Sequence, residues 1–226
     1  MTTLVIATRN RHKVEEIRAI LGADFQFMTL RDLPDAPAVV EDAATFAGNA
    51  TKKATTLARW LSSRGQAADY VLADDSGLEV DALGGAPGVH SARFAALDTG
   101  AAENSGDADN NAKLLRLLRD VPPEKRTARF RCVIALTPLL AMSKVSSSPT
   151  CAADEFELQT ELFDGACEGR VDSTPSGSGG FGYDPLFIPN GHEQSFAELG
   201  DDIKNTMSHR AHALQKLAAR FQARGQ

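Results

Sequence analysis

The spacing of apolar residues predicts alternating strands and helices over the first third of the chain. The apolar run at residues 4–7 is typical of a short buried strand, and residues 25–29 predict a second one. Between them, Val14, Ile17 and Leu21 recur at helical spacing, which predicts a helix over residues 13–21. A long helix is expected next, with Thr45 as its N-cap and an apolar stripe of Phe46, Ala50, Ala54, Leu57 and Leu61.

The middle of the chain predicts mainly strands. Residues 70–73 predict a strand that ends at Asp74-Asp75-Ser76-Gly77, and residues 78–80 predict another. A helix is expected over residues 110–119. Two further segments alternate between apolar and polar residues and predict strands, at residues 128–137 and 156–162.

The remaining segments complete an α/β pattern. Two stretches rich in small and polar residues predict exposed loops, at residues 98–109 and, as a hairpin insertion, at 142–154. Toward the C-terminus we expect a strand at 184–189, a short helix after the capping box Ser195–Glu198, and a last helix over 205–223. The whole chain, 1–226, is therefore expected to be one domain with a mixed sheet flanked by helices.

Composition narrows the function classes. Of the 226 residues, 42% are hydrophobic and 24% are charged, which is ordinary for a soluble globular protein. No apolar run approaches the roughly 20 residues of a membrane span, and the first residues lack the basic segment of a signal peptide. The net charge of −6 argues against a nucleic-acid partner, but it does not exclude a small polyanionic substrate.

The cysteine pattern indicates a reducing compartment. The chain has an odd number of cysteines, and Cys132, Cys151 and Cys167 are not at metal-ligand spacing. A disulfide scaffold is therefore not expected, and a cytoplasmic location fits better. We interpret Cys132 as a core residue of its strand.

Two polar segments in the first half of the chain suggest phosphate and metal chemistry. Thr8-Arg9-Asn10-Arg11-His12-Lys13 joins the first strand to the first helix, where backbone N–H groups attract anions. A capped helix with solvated basic residues is the alternative. The carboxylates of Asp74-Asp75-Ser76-Gly77 suit Mg²⁺, and only one aspartate need face a site because successive strand residues point to opposite faces. The alternative there is a structural turn.

Two segments in the second half suggest a site for a planar base. Residues 177–182 formally match GxGxxG, but a strand is expected after them rather than the helix of a dinucleotide-binding fold. Small residues around Phe181 and Tyr183 suit a backbone loop with aromatic faces, although a glycine turn with core aromatics would look the same. Lys204 with Ser208-His209-Arg210 could project into a cleft or form a solvated helix end.

Together these segments resemble the inosine triphosphate pyrophosphatase family, which hydrolyses non-standard purine nucleoside triphosphates. The resemblance covers nearly the whole chain and keeps the order of the motifs. The motifs are Thr8-Arg9-Asn10-x-x-Lys13, Ala73-Asp74-Asp75-Ser76-Gly77-Leu78, Leu83-Gly84-Gly85-x-Pro87-Gly88, Ser91-Ala92-Arg93, Gly179-Gly180-Phe181-Gly182-Tyr183-Asp184-Pro185 and Ser208-His209-Arg210.

The resemblance implies an elongated two-lobed α/β fold with a central twisted mixed β-sheet and an active-site cleft between the lobes. It also implies Mg²⁺ dependence and a homodimer. The triphosphate would be held by residues 8–13, chiefly Thr8, Asn10 and Lys13, together with Lys53. Asp75 would be catalytic and would hold the metal with Glu41, and Ser76 would touch the nucleotide. The base would be bound by Phe181, Gly182, Tyr183, Asp184, Lys204, His209 and Arg210.

The expected reaction is attack of water at the α-phosphorus with pyrophosphate as the leaving group. Two alternatives stay open: a related pyrophosphatase acting on other modified nucleotides, and a non-catalytic nucleotide-binding module. The chain departs from the family pattern at Gly48, where glutamate is usual. A glutamate there would either stabilise the start of the helix or belong to the metal shell, and we favour the first interpretation because Glu41 and Asp75 already supply two carboxylates.

Overall fold

A computed structural model describes residues 1–100, 103–140 and 155–224 of the chain. The strands are β1 (Thr2–Ile6), β2 (Phe25–Thr29), β3 (Tyr70–Val80), β4 (Thr127–Pro138), β5 (Glu161–Val171) and β6 (Phe187–Pro189). The helices are α1 (Arg11–Leu21), α2 (Phe46–Ser63), α3 (Asp107–Leu117), α4 (Glu155–Leu158), α5 (Phe196–Met207) and α6 (His209–Arg224). Among the described helices, none is long and apolar enough to cross a membrane.

The described strands form one mixed sheet in the order β2-β1-β3-β4-β5-β6. β1 runs parallel to both β2 and β3, with Ile6 opposite Thr29 on one side and Leu72 on the other. β6 runs antiparallel to β5. Helices connect the parallel strands, as crossover connections require. The predicted α/β class with a mixed sheet is therefore confirmed.

The chain divides into two compact units. The first contains residues 1–75, 133–163 and 214–226, and the second contains residues 76–132 and 164–213. The second unit has its own core, in which Phe187 lies 4.7 Å from Phe130 and 5.3 Å from Phe196 between ring centroids. The elongated outline, the cleft between lobes and the single-domain assignment stay predictions.

Periodicity predicted α1, α2 and α3, but it placed the starts of α1 and α3 too late. α1 begins at Arg11, two residues earlier than expected, because Asn10 is its N-cap and its side chain accepts the Lys13 N–H at 3.3 Å. α2 begins after Thr45, whose hydroxyl accepts the Gly48 N–H at 3.1 Å, as predicted. α3 also starts earlier than expected, at Asp107, so the end of the predicted 98–109 loop is helical.

Two strand predictions were wrong. Residues 70–80 form one continuous strand instead of two strands joined by a turn, so Asp74 and Asp75 lie in the interior of β3. The alternating segment 156–162 is not a single strand, because residues 155–158 are the helix α4 and β5 begins only at Glu161. The side chain of Phe156 is buried, and its carbonyl accepts a hydrogen bond from the Thr160 hydroxyl at 2.6 Å. β6 is also shorter than expected, at Phe187–Pro189.

The predicted C-terminal helix is broken at Ser208. Its backbone is extended, with φ −70° and ψ 163°, and its hydroxyl accepts the Ala211 N–H at 3.2 Å, which caps α6. The capping box at Ser195 and Glu198 is confirmed at the start of α5. Cys132 is buried in β4, as predicted. The expected hairpin insertion at 142–154 and Cys151 lie outside the described residues.

Candidate functional site

Charged side chains converge on the interior of β3 in the first unit. The Lys53 ammonium, from α2, lies 2.9 Å from Asp75 Oδ1, 3.1 Å from Glu41 Oε2 and 2.7 Å from the Asp74 carbonyl oxygen. Lys13, from α1, forms an ion pair with the Asp74 carboxylate. We call this group the carboxylate cluster: Glu41, Asp74 and Asp75 with Lys13 and Lys53.

Strand geometry explains why the two adjacent aspartates have different lysine partners. Adjacent residues of a strand point to opposite faces. Asp74 accordingly pairs with Lys13 of α1, and Asp75 pairs with Lys53 of α2. These two ion pairs compensate the buried carboxylates, which is why an Asp-Asp pair is tolerated inside a strand rather than ending it.

Asn49, which the sequence analysis did not single out, joins the parts of this cluster. Its amide nitrogen donates to Asp75 Oδ2 at 3.3 Å, and its oxygen accepts the Ala43 N–H at 2.9 Å. Asn49 is almost completely buried, at 1% exposure. The side chain therefore ties the segment that carries Glu41 to the strand that carries Asp75.

The electrostatics of the cluster separate the two carboxyl groups. Burial and, to a smaller extent, a hydrogen bond with Glu41 raise the pKa of Asp75 to about 6, against the opposing pull of Lys53 and Lys13. Burial also raises the pKa of Glu41, but Lys53 and the hydrogen bond with Asp75 outweigh it, so that pKa is lowered. Burial lowers the pKa of Lys53, yet the charges of Asp75 and Glu41 leave it raised overall. Of the two carboxyl groups, Asp75 is thus the one that keeps its proton up to about pH 6.

The donor set of Glu41 and Asp75 fits a magnesium ion. Within the described part of the chain, no group of three or more His, Cys, Asp or Glu side chains could hold a metal ion. Mg²⁺ does not need such a group, because it commonly binds through one or two carboxylates together with water and substrate phosphates. Glu41 and Asp75 interact with each other and with the same Lys53 ammonium, so the pair is a site that would hold a divalent cation.

The predicted phosphate segment, residues 8–13, divides into two groups. Lys13 belongs to the carboxylate cluster through its ion pair with Asp74. Near it, the Thr8 hydroxyl accepts the Asn10 N–H at 3.2 Å. Arg11 and His12 instead lie near Glu15 on the exposed surface of α1, at 2.6 and 4.0 Å. Thr8, Arg9 and Arg11 line a cavity of about 650 Å³ that also contacts Arg18 and Arg31. None of the carboxylate cluster lines that cavity, so substrate binding by Arg9, Arg11 and His12 stays a prediction.

In the second unit, the side chain of Asp184 is hydrogen-bonded to the backbone of the glycine-rich loop at residues 177–182. Its Oδ2 atom accepts the Phe181 N–H at 2.8 Å and the Lys204 ammonium at 2.5 Å. Gly180 has φ +71°, and a Cβ atom there would lie 2.2 Å from Asp184 Oδ2, so this position requires glycine. The loop is therefore a turn held together by a buried ion pair, not a dinucleotide-binding loop.

Cations surround the ring of Phe181. The Lys204 ammonium lies 4.6 Å from its centroid, and the Arg210 guanidinium lies 5.8 Å away. Arg210 also donates to the Ser76 hydroxyl at 3.0 Å. We call Phe181, Asp184, Lys204 and Arg210 the aromatic–cation cluster. Lys204 and Arg210 are buried at 2% and 1% exposure, which excludes the alternative of a solvated helix end.

The other predicted base-pocket residues have structural contacts. His209 stacks on Phe130, with 4.8 Å between ring centroids and an angle of 14°. Tyr183 is buried in the core, and its hydroxyl donates to the Ser91 carbonyl at 2.9 Å. Burial raises the pKa of Tyr183 well above its usual range. For Tyr183 the alternative of a core aromatic therefore fits better than a base-stacking face.

Gly48 is in close contact with the segment that carries Glu41. A Cβ atom at Gly48 would lie 2.8 Å from Ala43 Cβ, and the Ala43 N–H is bonded to Asn49. This close approach leaves no room for a side chain without movement of Ala43. The expectation that a glutamate at this position would stabilise the helix start is therefore withdrawn.

We predict that Gly48→Glu lowers the thermal midpoint, because overpacking typically costs about 1–3 kcal/mol. It should also raise the Mg²⁺ concentration needed for half-maximal activity, since the displaced Ala43 is two residues from Glu41. Gly48→Glu combined with Ala43→Gly should recover both quantities, and Ala43→Gly alone is the control. A higher midpoint for the single Gly48→Glu variant would refute this packing argument.

Comparison with known proteins identifies relatives over nearly the whole chain. The model of the Ham1 family matches residues 4–220. A dITP/XTP pyrophosphatase of Geobacter sulfurreducens is 46% identical over 218 residues, which cover 96% of this chain and 95% of the relative. A dITP/XTP pyrophosphatase of Desulforamulus reducens is 45% identical over 94% of this chain and 92% of its own length.

Solved structures agree with these matches. A Ham1 protein from Coxiella burnetii superposes with a TM-score of 0.76 and 33% identity, covering 99% of this chain and all of that one. The Staphylococcus aureus Ham1 protein gives a TM-score of 0.75 and 32% identity, with the same coverage. The resemblance inferred from the sequence motifs is confirmed.

Proposed function

This chain belongs to the Ham1 family, and from that premise we propose that it hydrolyses non-standard purine nucleoside triphosphates to the monophosphate and pyrophosphate. The substrates would be ITP, dITP and XTP, and the reaction would remove them from the nucleotide pool. The observation that carries the proposal is the carboxylate cluster, in which Lys13 and Lys53 form ion pairs with buried aspartates. The chain that contains this cluster is similar to dITP/XTP pyrophosphatases. That cluster supplies both the cations and the base that such a reaction needs.

The triphosphate would bind at the carboxylate cluster. Lys13 and Lys53 are half-buried ammonium groups with side-chain exposures of 15% and 12%, so they can neutralise phosphate charge away from bulk water. Thr8 and Asn10 would add polar contacts at the start of α1. Glu41 and Asp75 would hold Mg²⁺, which when bound would neutralise phosphate charge and lower the pKa of water.

The reaction would consist of one displacement at the α-phosphorus. The oxygen of a water molecule bonds to phosphorus, the bond from phosphorus to the bridging oxygen breaks, and pyrophosphate leaves with the electron pair. Asp75 would accept the proton of the attacking water. Without a metal ion its pKa is about 6, so the carboxyl group is mostly ionised at neutral pH and is free to bind a cation or accept a proton.

The base would bind at the aromatic–cation cluster. Hypoxanthine and xanthine carry an oxygen at C6, where adenine carries an amino group. Lys204 and Arg210 are pure donors and would pair with that oxygen, whereas adenine would leave a buried donor unsatisfied. The half-buried ring of Phe181 would stack on the base, and Ser76 would contact the nucleotide next to Arg210. Gly182, Tyr183, Asp184 and His209 would hold this pocket in shape.

The remaining proposals concern assembly and location. The resemblance supports a homodimer and a requirement for Mg²⁺, and the composition supports a cytoplasmic enzyme with no nucleic-acid or membrane partner. The non-catalytic alternative is not favoured, because the relatives are named as pyrophosphatases and the carboxylate cluster keeps its lysines.

Product analysis in isotopically labelled water tests the proposed reaction. In H₂¹⁸O with Mg²⁺, the protein should convert ITP to pyrophosphate and to IMP that carries the label. Omitting Mg²⁺ and adding EDTA should abolish turnover. Formation of IDP and inorganic phosphate, or label in pyrophosphate instead of IMP, would contradict attack at the α-phosphorus.

A further inference from the structure

Helix α3 holds the loop of the aromatic–cation cluster by the backbone of a single residue. Asp107 Oδ2 accepts the Gly182 N–H at 2.7 Å, and Asn111 Nδ2 donates to the Gly182 carbonyl at 2.9 Å. Asp107 and Asn111 are four residues apart on α3 and so lie on the same face, one turn from each other. Both hydrogen-bonding groups of Gly182 are thus fixed by neighbouring side chains of one helix.

We call the two hydrogen bonds from Asp107 and Asn111 to Gly182 the clamp. Gly182 is the residue next to Phe181. Gly182 has φ +64°, a backbone conformation that is unfavourable for residues with a side chain. Glycine adopts it readily, but glycine also has other conformations open to it, so the loop needs an external restraint here. On the other side, Asp184 holds Phe181 itself, since its carboxylate accepts the Phe181 N–H and its backbone N–H donates to the Phe181 carbonyl at 3.2 Å, but neither bond reaches Gly182. Without the two bonds from α3, neither the N–H nor the carbonyl of Gly182 would have a side-chain partner among the described residues, and the position of the neighbouring Phe181 ring would loosen.

Asn111 keeps this bond at a cost to stability. Its side chain is buried at 9% exposure, and in the described structure its oxygen has no hydrogen-bond partner. An unsatisfied buried acceptor typically costs about 1–3 kcal/mol. A leucine of similar size would remove that cost but would also remove the donor to the Gly182 carbonyl, so the amide adds little net stability at this position.

We propose that Asp107 and Asn111 are positioning residues for base recognition, which act by fixing Gly182 and hence the ring of Phe181. This inference rests on the proposed function, since it assigns Phe181 to the base. Neither side chain touches the carboxylate cluster in the described contacts. Their loss therefore weakens binding of the base and leaves the hydrolytic step intact.

Kinetics of three variants test the clamp. Asn111→Leu and Asp107→Ala should each raise KM for ITP about tenfold, which corresponds to one net hydrogen bond to a charged or constrained group, with kcat and the Mg²⁺ requirement within about twofold of the parent. Asp107→Asn keeps an acceptor oxygen and should recover most of the effect. Asp109→Ala is the matched control, because Asp109 is an exposed acid in the same first turn and, in the part of the chain that the structure describes, makes no hydrogen bond to the loop.

Stability and hydrogen exchange separate positioning from a folding defect. The thermal midpoint of Asn111→Leu should stay close to that of the parent, because removing the unpaired oxygen offsets the lost bond to Gly182. The amides of residues 177–186 should exchange faster in Asn111→Leu and Asp107→Ala than in Asp109→Ala. These two readouts need no substrate, so they judge the clamp even when the parent fails to hydrolyse ITP. Unchanged exchange with unchanged KM, or a rise in KM shared equally by Asp109→Ala, would overturn the proposal.

Discussion

Asp75→Asn is expected to lower kcat for ITP by about a hundredfold or more, the usual loss when a general base is removed. The substitution keeps the shape of the side chain and its contact with Asn49, but the amide accepts no proton from water and binds a cation poorly. Steady-state pyrophosphate release at pH 7.5 in saturating Mg²⁺ is the measurement. Retention of more than about a tenth of the activity, a barrier change below about 1.4 kcal/mol, would refute the catalytic assignment.

The stability of the same variant distinguishes loss of chemistry from loss of fold. Asp75 has a pKa of about 6 in the folded protein and an ordinary value of 3.8, so the folded state binds the extra proton between these values. The stability that the neutral carboxyl provides is therefore lost as pH rises from about 4 through 6. The amide of Asp75→Asn does not titrate, so the variant does not lose this contribution to the free energy of unfolding as pH rises.

At pH 7.5 without divalent metal, the thermal midpoint of Asp75→Asn should consequently be no lower than that of the parent, and at pH 4 the two should converge. Asp35→Asn, at an exposed position before α2, is the control for the loss of one negative charge. A midpoint well below that of the parent at pH 7.5 would mean that Asp75 is mainly a structural partner of Lys53.

Lys204→Ala is expected to reduce the ratio of kcat/KM for ITP to that for ATP by about ten- to a hundredfold, because it removes a buried donor that 6-oxopurines satisfy and adenine does not. The reduction should come from ITP, whose kcat/KM falls, while that of ATP changes little. An unchanged ratio with a uniformly lower rate would place Lys204 outside base recognition.

The buried ion pair complicates this experiment in a predictable way. Removing Lys204 leaves the Asp184 carboxylate buried without its cation, and breaking such a pair typically costs about 3–5 kcal/mol. Assays should therefore run well below the thermal midpoint of the variant. Lys113→Ala is the matched control, since Lys113 is also a buried lysine with a carboxylate partner, Asp98, and belongs to neither cluster.

The sequence correctly predicted helices that have a long apolar stripe and an N-cap bonded to a residue only three positions away. Thr45 and α2 are an example, because the cap and the stripe are both local signals. β3 was divided wrongly because Asp-Asp-Ser-Gly ordinarily ends a strand, and the lysines that permit it to continue come from α1 and α2. The break at Ser208 was missed because the apolar spacing of the C-terminal residues continues across it.

The candidate site divides in the same way. Residues that belong to contiguous polar motifs, such as Asp75 and Lys204, could be proposed from the sequence. Asn49, Asp107 and Asn111 could not, because each acts on an atom remote in sequence or on a backbone group, and helix positions of this kind carry no pattern of their own. Their roles depend on tertiary contacts that only the folded chain supplies.

The most direct test of the central claim is the kcat/KM for pyrophosphate release in excess Mg²⁺, measured with purified protein on ITP, dITP, XTP, ATP and GTP. The values of kcat/KM for the hypoxanthine and xanthine nucleotides should exceed that for ATP by about a hundredfold or more, because adenine leaves the donors of Lys204 and Arg210 unsatisfied. Equal values for ITP and ATP, or tight binding of ITP without turnover, would contradict it.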